Sequence, residues 1–349
     1  MNNLLYFPYI SIEKSPWLYK SLLYWDSISV ITPLEYFDHP SRFENYMNPL
    51  IKEEMVKLVF PHEYIYRNSN EFSRKFVNHI RENYFELCKG KRIGVVKDKR
   101  LVPQEVTKIH MDKLEYSIGE FLIEHGMAYR NGSWLCVKRP IARDFMHYLA
   151  LLIGNIGGFS PTTDSVRHIS QQVYKIRMPS PSRDDFRGGY ERFQTANQTF
   201  QVLDGIFSIP KEITDIYDII DFKQKNYDLL SNFQRLIGQT VSDIETFPIE
   251  QHKSRLQYHI NHLEEEKQRL NEKMKEKWKI TDFTSLAWTA PQAYILANNY
   301  EILSKQQTIL YTTTLLRGVY DIYTSRRRRI RELNHNPLAY VLEAQRTFN

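Results

Sequence analysis

A helix-dominated α+β fold is what this sequence predicts, and three observations predict it. The chain opens in strand–helix–strand order between Leu4 and Pro33. An Asn131-Gly132 turn joins two β-prone runs that are themselves flanked by helical patterns. Beyond residue 213, apolar residues recur at three- and four-residue spacing over long stretches. The expected architecture is a small N-terminal strand–helix–strand unit with a helix–hairpin–helix module (residues 1–154), a loop-rich connector (155–212), and a C-terminal helical domain (213–349) that carries a coiled-coil arm at about 250–278.

In the opening unit, Leu4, Leu5, Tyr6 and Phe7 form a continuous apolar run, the pattern of a strand covered on both faces. Ser15-Pro16 is a hydroxyl cap followed by proline at a first helical position, and Leu18, Leu22 and Trp25 share one helix face. Ile28, Val30 and Ile31 then give a second β run. A helix of about ten residues between two strands is near the minimum for a parallel crossover, so parallel pairing is expected. Arg42–Phe60 reads as one helix with Leu50, Ile51, Met55, Leu58 and Val59 on its apolar face, and Glu71–Cys88 as another, stopped at Gly90. Residues 91–104 are basic and read as a short strand or loop.

The module at 112–154 starts with a helix through Leu114, Ile118, Phe121 and Leu122. The hairpin of Met127–Arg130 and Ser133–Val137 follows, then a helix opened by Pro140 with Phe145, Leu149, Leu152 and Ile153 along one side. In a winged helix the hairpin follows the recognition helix, so this order points to packing rather than DNA reading. GNIGGFSPTTDS and MPSPSRDDFRGG read as loops around a short helix at Val166–Tyr174.

In the second half, Thr214 is the expected cap of a helix running to about Glu245. After Pro248, Leu256, Ile260, Leu263, Lys267, Leu270 and Met274 form a heptad seam interrupted by lysine, the pattern of an exposed arm or a dimerising helix. Residues 284–325 carry few charges. Asn298, Asn299, Glu301 and Lys305 argue for a buried helix there rather than a membrane-active one. Pro337 opens a last amphipathic helix.

Net charge is +6 with a pI near 9.0, which permits a nucleic-acid partner without requiring one. Cys88 and Cys136 are the two cysteines and lack metal-ligand spacing, so neither a disulfide framework nor a zinc knuckle is expected. No secretory leader or uninterrupted apolar span is seen, and the cytoplasm is the expected location.

The densest positive cluster is Arg326, Arg327, Arg328, Arg329 and Arg331, a candidate phosphate or nucleic-acid contact. Arg329 with His335, and Arg74 with His79, stand at spacings similar to the arginine–histidine motif of HEPN-type ribonucleases, although Ile330 and Lys75 follow the arginines where that motif has a polar residue. This makes Arg329 and His335 the speculative catalytic pair. His259 and His262 can share a helix face near His252, but no third ligand completes a metal site. Asp184-Asp185 and Glu264-Glu265-Glu266 are carboxylate runs rather than spaced pairs. Gly154, Gly157 and Gly158 lack the strand context of a phosphate loop, so no cofactor is expected.

The segments LYFPYI and PWLYKSLLYWDSISVITP, together with GMAYRNGSWLCVKRPIARDFMHYLALLIG (126–154), IIDFKQKNYDLLSNFQRLIG (219–238) and NPLAYVLEAQRTF (336–348), resemble a family of uncharacterised bacterial proteins that carries a domain-of-unknown-function label. The resemblance spans most of the chain as a pattern of apolar positions and implies no reaction. Labels of that kind are frequent in antiphage-defence neighbourhoods. The expectation is therefore a non-enzymatic defence or stress component, a sensor or assembly subunit working through protein contacts or self-association of the coiled coil. The rivals are a nucleic-acid-binding or HEPN-like ribonuclease effector and a membrane-disrupting effector.

Overall fold

A computed structural model describes residues 3–66, 69–87, 106–164, 183–209, 215–272 and 336–348. It is a mixed α+β structure rich in helix, as the sequence predicts. The chain divides into two compact units. One is Met1–Phe200 with Lys211–Ile220; the other is Gln201–Pro210 with Asp221–Asn349.

The first unit is built on β1 (Asn3–Tyr6), α1 (Pro16–Tyr24) and β2 (Ser27–Ile31). Ser15 Oγ accepts the Leu18 N–H at 3.4 Å, so the hydroxyl caps the helix as its position implies. β1 and β2 pair in parallel, with Leu4 opposite Ile28 and Tyr6 opposite Val30. Leu4, Leu5, Tyr6 and every residue of β2 are buried, which explains the absence of a polar alternation.

The single helix expected over Arg42–Phe60 is instead several pieces. After β2 come α2 (Leu34–Asp38), a 3-10 turn (Pro40–Arg42), α3 (Met47–Lys52) and β3 (Val56–Val59). Glu54 has φ 56°, a left-handed conformation that stops the helix. The β-branched Val56 and Val59 then pair alongside β2 in a register that buries both. Helices α4 (His62–Ile65) and α5 (Ser69–Leu87) follow.

Next come β4 (Val106–His110), a 3-10 turn (Met111–Lys113), α6 (Tyr116–Glu124), the hairpin strands β5 (Ala128–Asn131) and β6 (Trp134–Lys138), and α7 (Arg139–Gly157). The Asn-Gly turn forms with Gly132 at φ 61°. β4 adds to the hairpin antiparallel, so a three-stranded sheet of order β4-β6-β5 replaces the expected two-stranded one.

The segment after α7 holds more structure than a connector. β7 (Ser160–Thr162) pairs in parallel with the far side of β1 and completes a four-stranded parallel sheet of order β3-β2-β1-β7. The sheet thus takes its fourth strand from beyond residue 154. α8 (Arg183–Ile206) runs through the sequence read as a Gly-Gly loop. Gly189 sits inside that helix because α8 approaches the backbone of α7 there. A Cβ at this position would collide with the Leu151 carbonyl oxygen and stand 3.1 Å from the Asn155 nitrogen. The expected helix at Val166–Tyr174 lies outside the described residues.

α7 is the spine of this unit, with Phe145 stacked edge-on to Phe76 at 5.2 Å and near Phe72 at 6.2 Å. Two of its C-terminal carbonyls are held by Arg192 of α8, which donates to Gly154 O at 2.9 Å and Asn155 O at 3.3 Å, and to Phe159 O just beyond the helix at 3.1 Å. Arg192→Ala leaves these acceptors without the guanidinium. It is expected to lower stability by about 1.5–3 kcal/mol, read as a shift of the denaturant midpoint at unchanged slope.

The helix expected from Thr214 to Glu245 is two helices, α9 (Ile216–Lys225), which enters the second unit at Asp221, and α10 (Tyr227–Glu245) within it. Asn226 breaks it by turning its side-chain amide onto Phe222 O at 2.9 Å. Phe222, Phe233 and Tyr340 of α12 (Ala339–Phe348) form an aromatic core, with rings 5.4 and 5.7 Å from Tyr340.

The stretch predicted as a coiled-coil arm holds the helix α11 (249–272). Leu263 is buried, and the Ile260 side chain lies against Gly205 of α8. Lys267 Nζ donates to Ile206 O at 2.9 Å and pairs with Glu264 at 2.5 Å. The lysine that interrupts the seam therefore caps the C-terminus of α8, and the middle of the seam lies against its own unit. Leu256 and Leu270 are half-buried, and Met274 lies outside the described residues. Among the described residues no helix is long and apolar enough to cross a membrane. Residues 284–325 fall outside them.

Candidate functional site

In a parallel sheet of order β3-β2-β1-β7 the chain leaves β1 toward β2 on one side and returns beside β1, as β7, on the other. Such a switch point opens a crevice at the carboxyl ends of the strands, where α/β folds bind ligands. The first unit has a cavity of about 630 Å³ beyond the carboxyl ends of β1 and β2, on the side away from β7. Pro8, Tyr9 and Ile10, which leave β1, and Tyr36, which follows β2, form part of its wall. β4 with the turn after it supplies Lys108, His110 and Lys113, and β6 supplies Trp134. α7 presents Arg139, Ala142, Arg143 and Met146, residues spaced to lie on one helix face.

The wall is electrostatically one-sided. Lys108, Lys113, Arg139 and Arg143 are cationic types, His110 is a fifth basic group, and among the described residues no carboxylate lines the cavity. The first turn of α7, which begins at Arg139, brings the positive end of a 19-residue helix to the same wall. Rings of Tyr9, Tyr36 and Trp134 complete it.

His110 is fixed from both sides. Its Nδ1 accepts the Asp112 N–H at 3.2 Å, which leaves the neutral ring protonated at Nε2. Nε2 lies 3.3 Å from Glu35 Oε1, close but poorly aligned for a hydrogen bond. The other oxygen of Glu35 pairs with Arg42 at 2.6 Å, and Asp112 Oδ2 accepts the Leu34 N–H at 3.0 Å. The Trp134 ring meets His110 edge-on at 5.0 Å. Glu35 and Asp112 thus stand behind the histidine of the wall, and each is also engaged elsewhere, Glu35 by Arg42 and Asp112 by the Leu34 amide.

Lys113 is the most unusual member. It is 2 % exposed, and burial pushes its amine down from the ordinary 10.5 to about 7. This has a consequence for stability. Below about pH 7 both folded and unfolded chains carry the proton, and the cost of burying it stands in full. Between about 7 and 10.5 the unfolded chain binds the proton more tightly, so raising pH across this window stabilises the fold. Denaturant titrations of Lys113→Met are expected to lack that rise.

The histidines singled out in sequence have other roles. Arg74 is exposed on α5, while His79 binds Asp144 Oδ2 on α7 at 3.1 Å and receives the Asn83 amide at 3.2 Å, so it holds two helices together. His252 bonds to Phe247 O at 2.8 Å, and His259 pairs with Asp243 at 3.2 Å. Among the described residues no group of His, Cys, Asp and Glu could hold a metal ion. Gly154, Gly157 and Gly158 end α7, with Gly158 at φ 69°. Arg326, Arg327, Arg328, Arg329, Arg331 and His335 lie outside the described residues.

None of the cavity's basic residues stands out in sequence. Arg139 and Arg143 at i,i+4, and Lys108 and His110 at i,i+2, are the only local hints that each pair faces one way. The chain matches no protein-family model, no curated protein and no solved structure.

Proposed function

We propose that the protein is a sensor whose first unit binds a small anionic ligand carrying phosphate and a flat ring, a nucleotide being the simplest such molecule. One observation carries this reading: a cavity beyond the carboxyl ends of β1 and β2 has five basic side chains and three aromatic rings in its wall and, among the described residues, no acid. Arg139 and Arg143 supply forked donors suited to phosphate, and the rings supply stacking surfaces for a base. The role in defence or stress expected from the sequence is part of this proposal, with ligand binding relayed through protein contacts or self-association.

Calorimetric titration with nucleoside mono-, di- and triphosphates tests this. Saturable binding that weakens as salt rises is expected, because phosphate contacts are screened. No heat with any nucleotide would remove the reading. Cleavage of labelled tRNA that is lost on His335→Ala would replace it with the ribonuclease one.

A further inference from the structure

Several polar groups of the first unit have clear structural partners. His79 is bound to Asp144, and Arg192 caps α7. Lys113 does not fit that description. It belongs to the turn directly after β4, it is buried, and it lines the cavity. Among the described residues no carboxylate pairs with it. Glu35 is committed to Arg42 and faces His110, and Asp112 Oδ2 takes the Leu34 N–H.

We propose that Lys113 is a nucleophile that forms an imine with a carbonyl group of the ligand in this cavity, so that the ligand class is a phosphate ester of an aldehyde or ketone. This rests on the anion-binding reading of the same cavity and narrows it. A buried amine without a counter-ion, in a wall that also carries Lys108, Arg139 and Arg143, is disfavoured in its charged form. Only the neutral amine has the lone pair that attacks carbon. With its pKa near 7, about half of Lys113 is neutral at neutral pH, against roughly one part in a thousand or less for an ordinary lysine. The same property makes it a poor permanent anchor for an anion, a task left to the two arginines.

The step balances without an oxidant or reductant. The Nζ lone pair bonds to the carbonyl carbon, the nitrogen gives up a proton, and the oxygen becomes a hydroxyl. Loss of that hydroxyl as water forms the C=N bond, so amine and carbonyl become imine and water. His110 lines the same wall, and histidine is the side chain suited to carrying a proton near neutrality.

The test is reductive trapping. The full chain is incubated with limiting glyceraldehyde 3-phosphate, reduced with borohydride, and its peptides are mapped by mass. Lys113 is expected to be modified at least tenfold more than Lys108 or any surface lysine. Competing nucleotide is expected to protect it, and glyceraldehyde without phosphate to react far less. Lys113→Met and Lys113→Arg should both lose the modification. Even labelling across surface lysines, or an unmodified Lys113, overturns the proposal without relying on either variant. ATP, which has no reactive carbonyl, is titrated in parallel. ATP binding without trapping leaves the anion site and removes the imine, whereas trapping without ATP binding leaves the reactive lysine and removes the nucleotide reading.

Discussion

Gly189→Ala is expected to destabilise the first unit by about 3 kcal/mol or more, a large effect for a single added methyl group. The methyl would meet the Leu151 carbonyl oxygen, with Leu151 C at 3.0 Å and Asn155 N at 3.1 Å, and all three are main-chain atoms of α7. A flexible side chain could swing aside, but a helix backbone cannot. α8 must therefore shift as a body, loosening Phe193 from Phe7 and from the ring of His147. In a unit of this size the thermal midpoint is expected to fall by about 6–12 °C. Gly238→Ala is the matched control. Gly238 lies inside α10 with nothing within 4 Å of where its Cβ would stand. There the helix-propensity gain acts alone, and stability is expected to rise by about 0.5–1 kcal/mol. Thermal and denaturant unfolding of the two variants should move in opposite directions. A Gly189→Ala change under about 1 kcal/mol would mean that the two helices are not in direct backbone contact.

The contrast shows what a sequence can and cannot reveal about this fold. Gly188-Gly189 reads as a loop because glycine weakens an isolated helix, and only the presence of α7 turns that weakness into a close approach. The β1–α1–β2 opening was legible because each of its signals is local, from the Ser15-Pro16 cap to the apolar runs on either side. β3 was not, because Leu50, Ile51, Met55, Leu58 and Val59 fit helical spacing until strand β2 offers Val56–Val59 a partner. β7 is three residues with a central proline and has meaning only beside β1. In the second unit the periodicity of Ile260 and Leu263 marks one helix face, but a heptad seam does not say which surface it covers, and the Gly205 contact of Ile260 is visible only in the fold. The cavity was illegible for the same reason on a larger scale. Its wall comes from the β1 exit, the β2 exit, β4, β6 and α7, five separated segments of ordinary composition. Only the packing of both sheets with α7 brings them together.

Replacing both Arg139 and Arg143 by alanine is expected to weaken binding of an anionic ligand by on the order of a hundredfold or more. A charge-assisted hydrogen bond contributes about 1.5–3 kcal/mol, and each 1.4 kcal/mol is a factor of ten. Arg139 and Arg143 stand one turn apart at the start of α7 and both line the cavity, where the helix end adds its own field. Arg143→Lys separates geometry from charge. The charge remains but the fork is gone, and an intermediate loss is expected if the contact is bidentate. Arg187→Ala, which removes an exposed arginine that pairs with Glu191 on α8, should leave affinity unchanged. Salt dependence gives an independent reading. The affinity of the intact protein should fall steeply with ionic strength, and that of the double variant should fall less, because fewer charge contacts remain to be screened. Equal affinity in the intact and doubly substituted proteins, with both folded by their unfolding transitions, would remove the basic wall of α7 from any account of what this cavity holds.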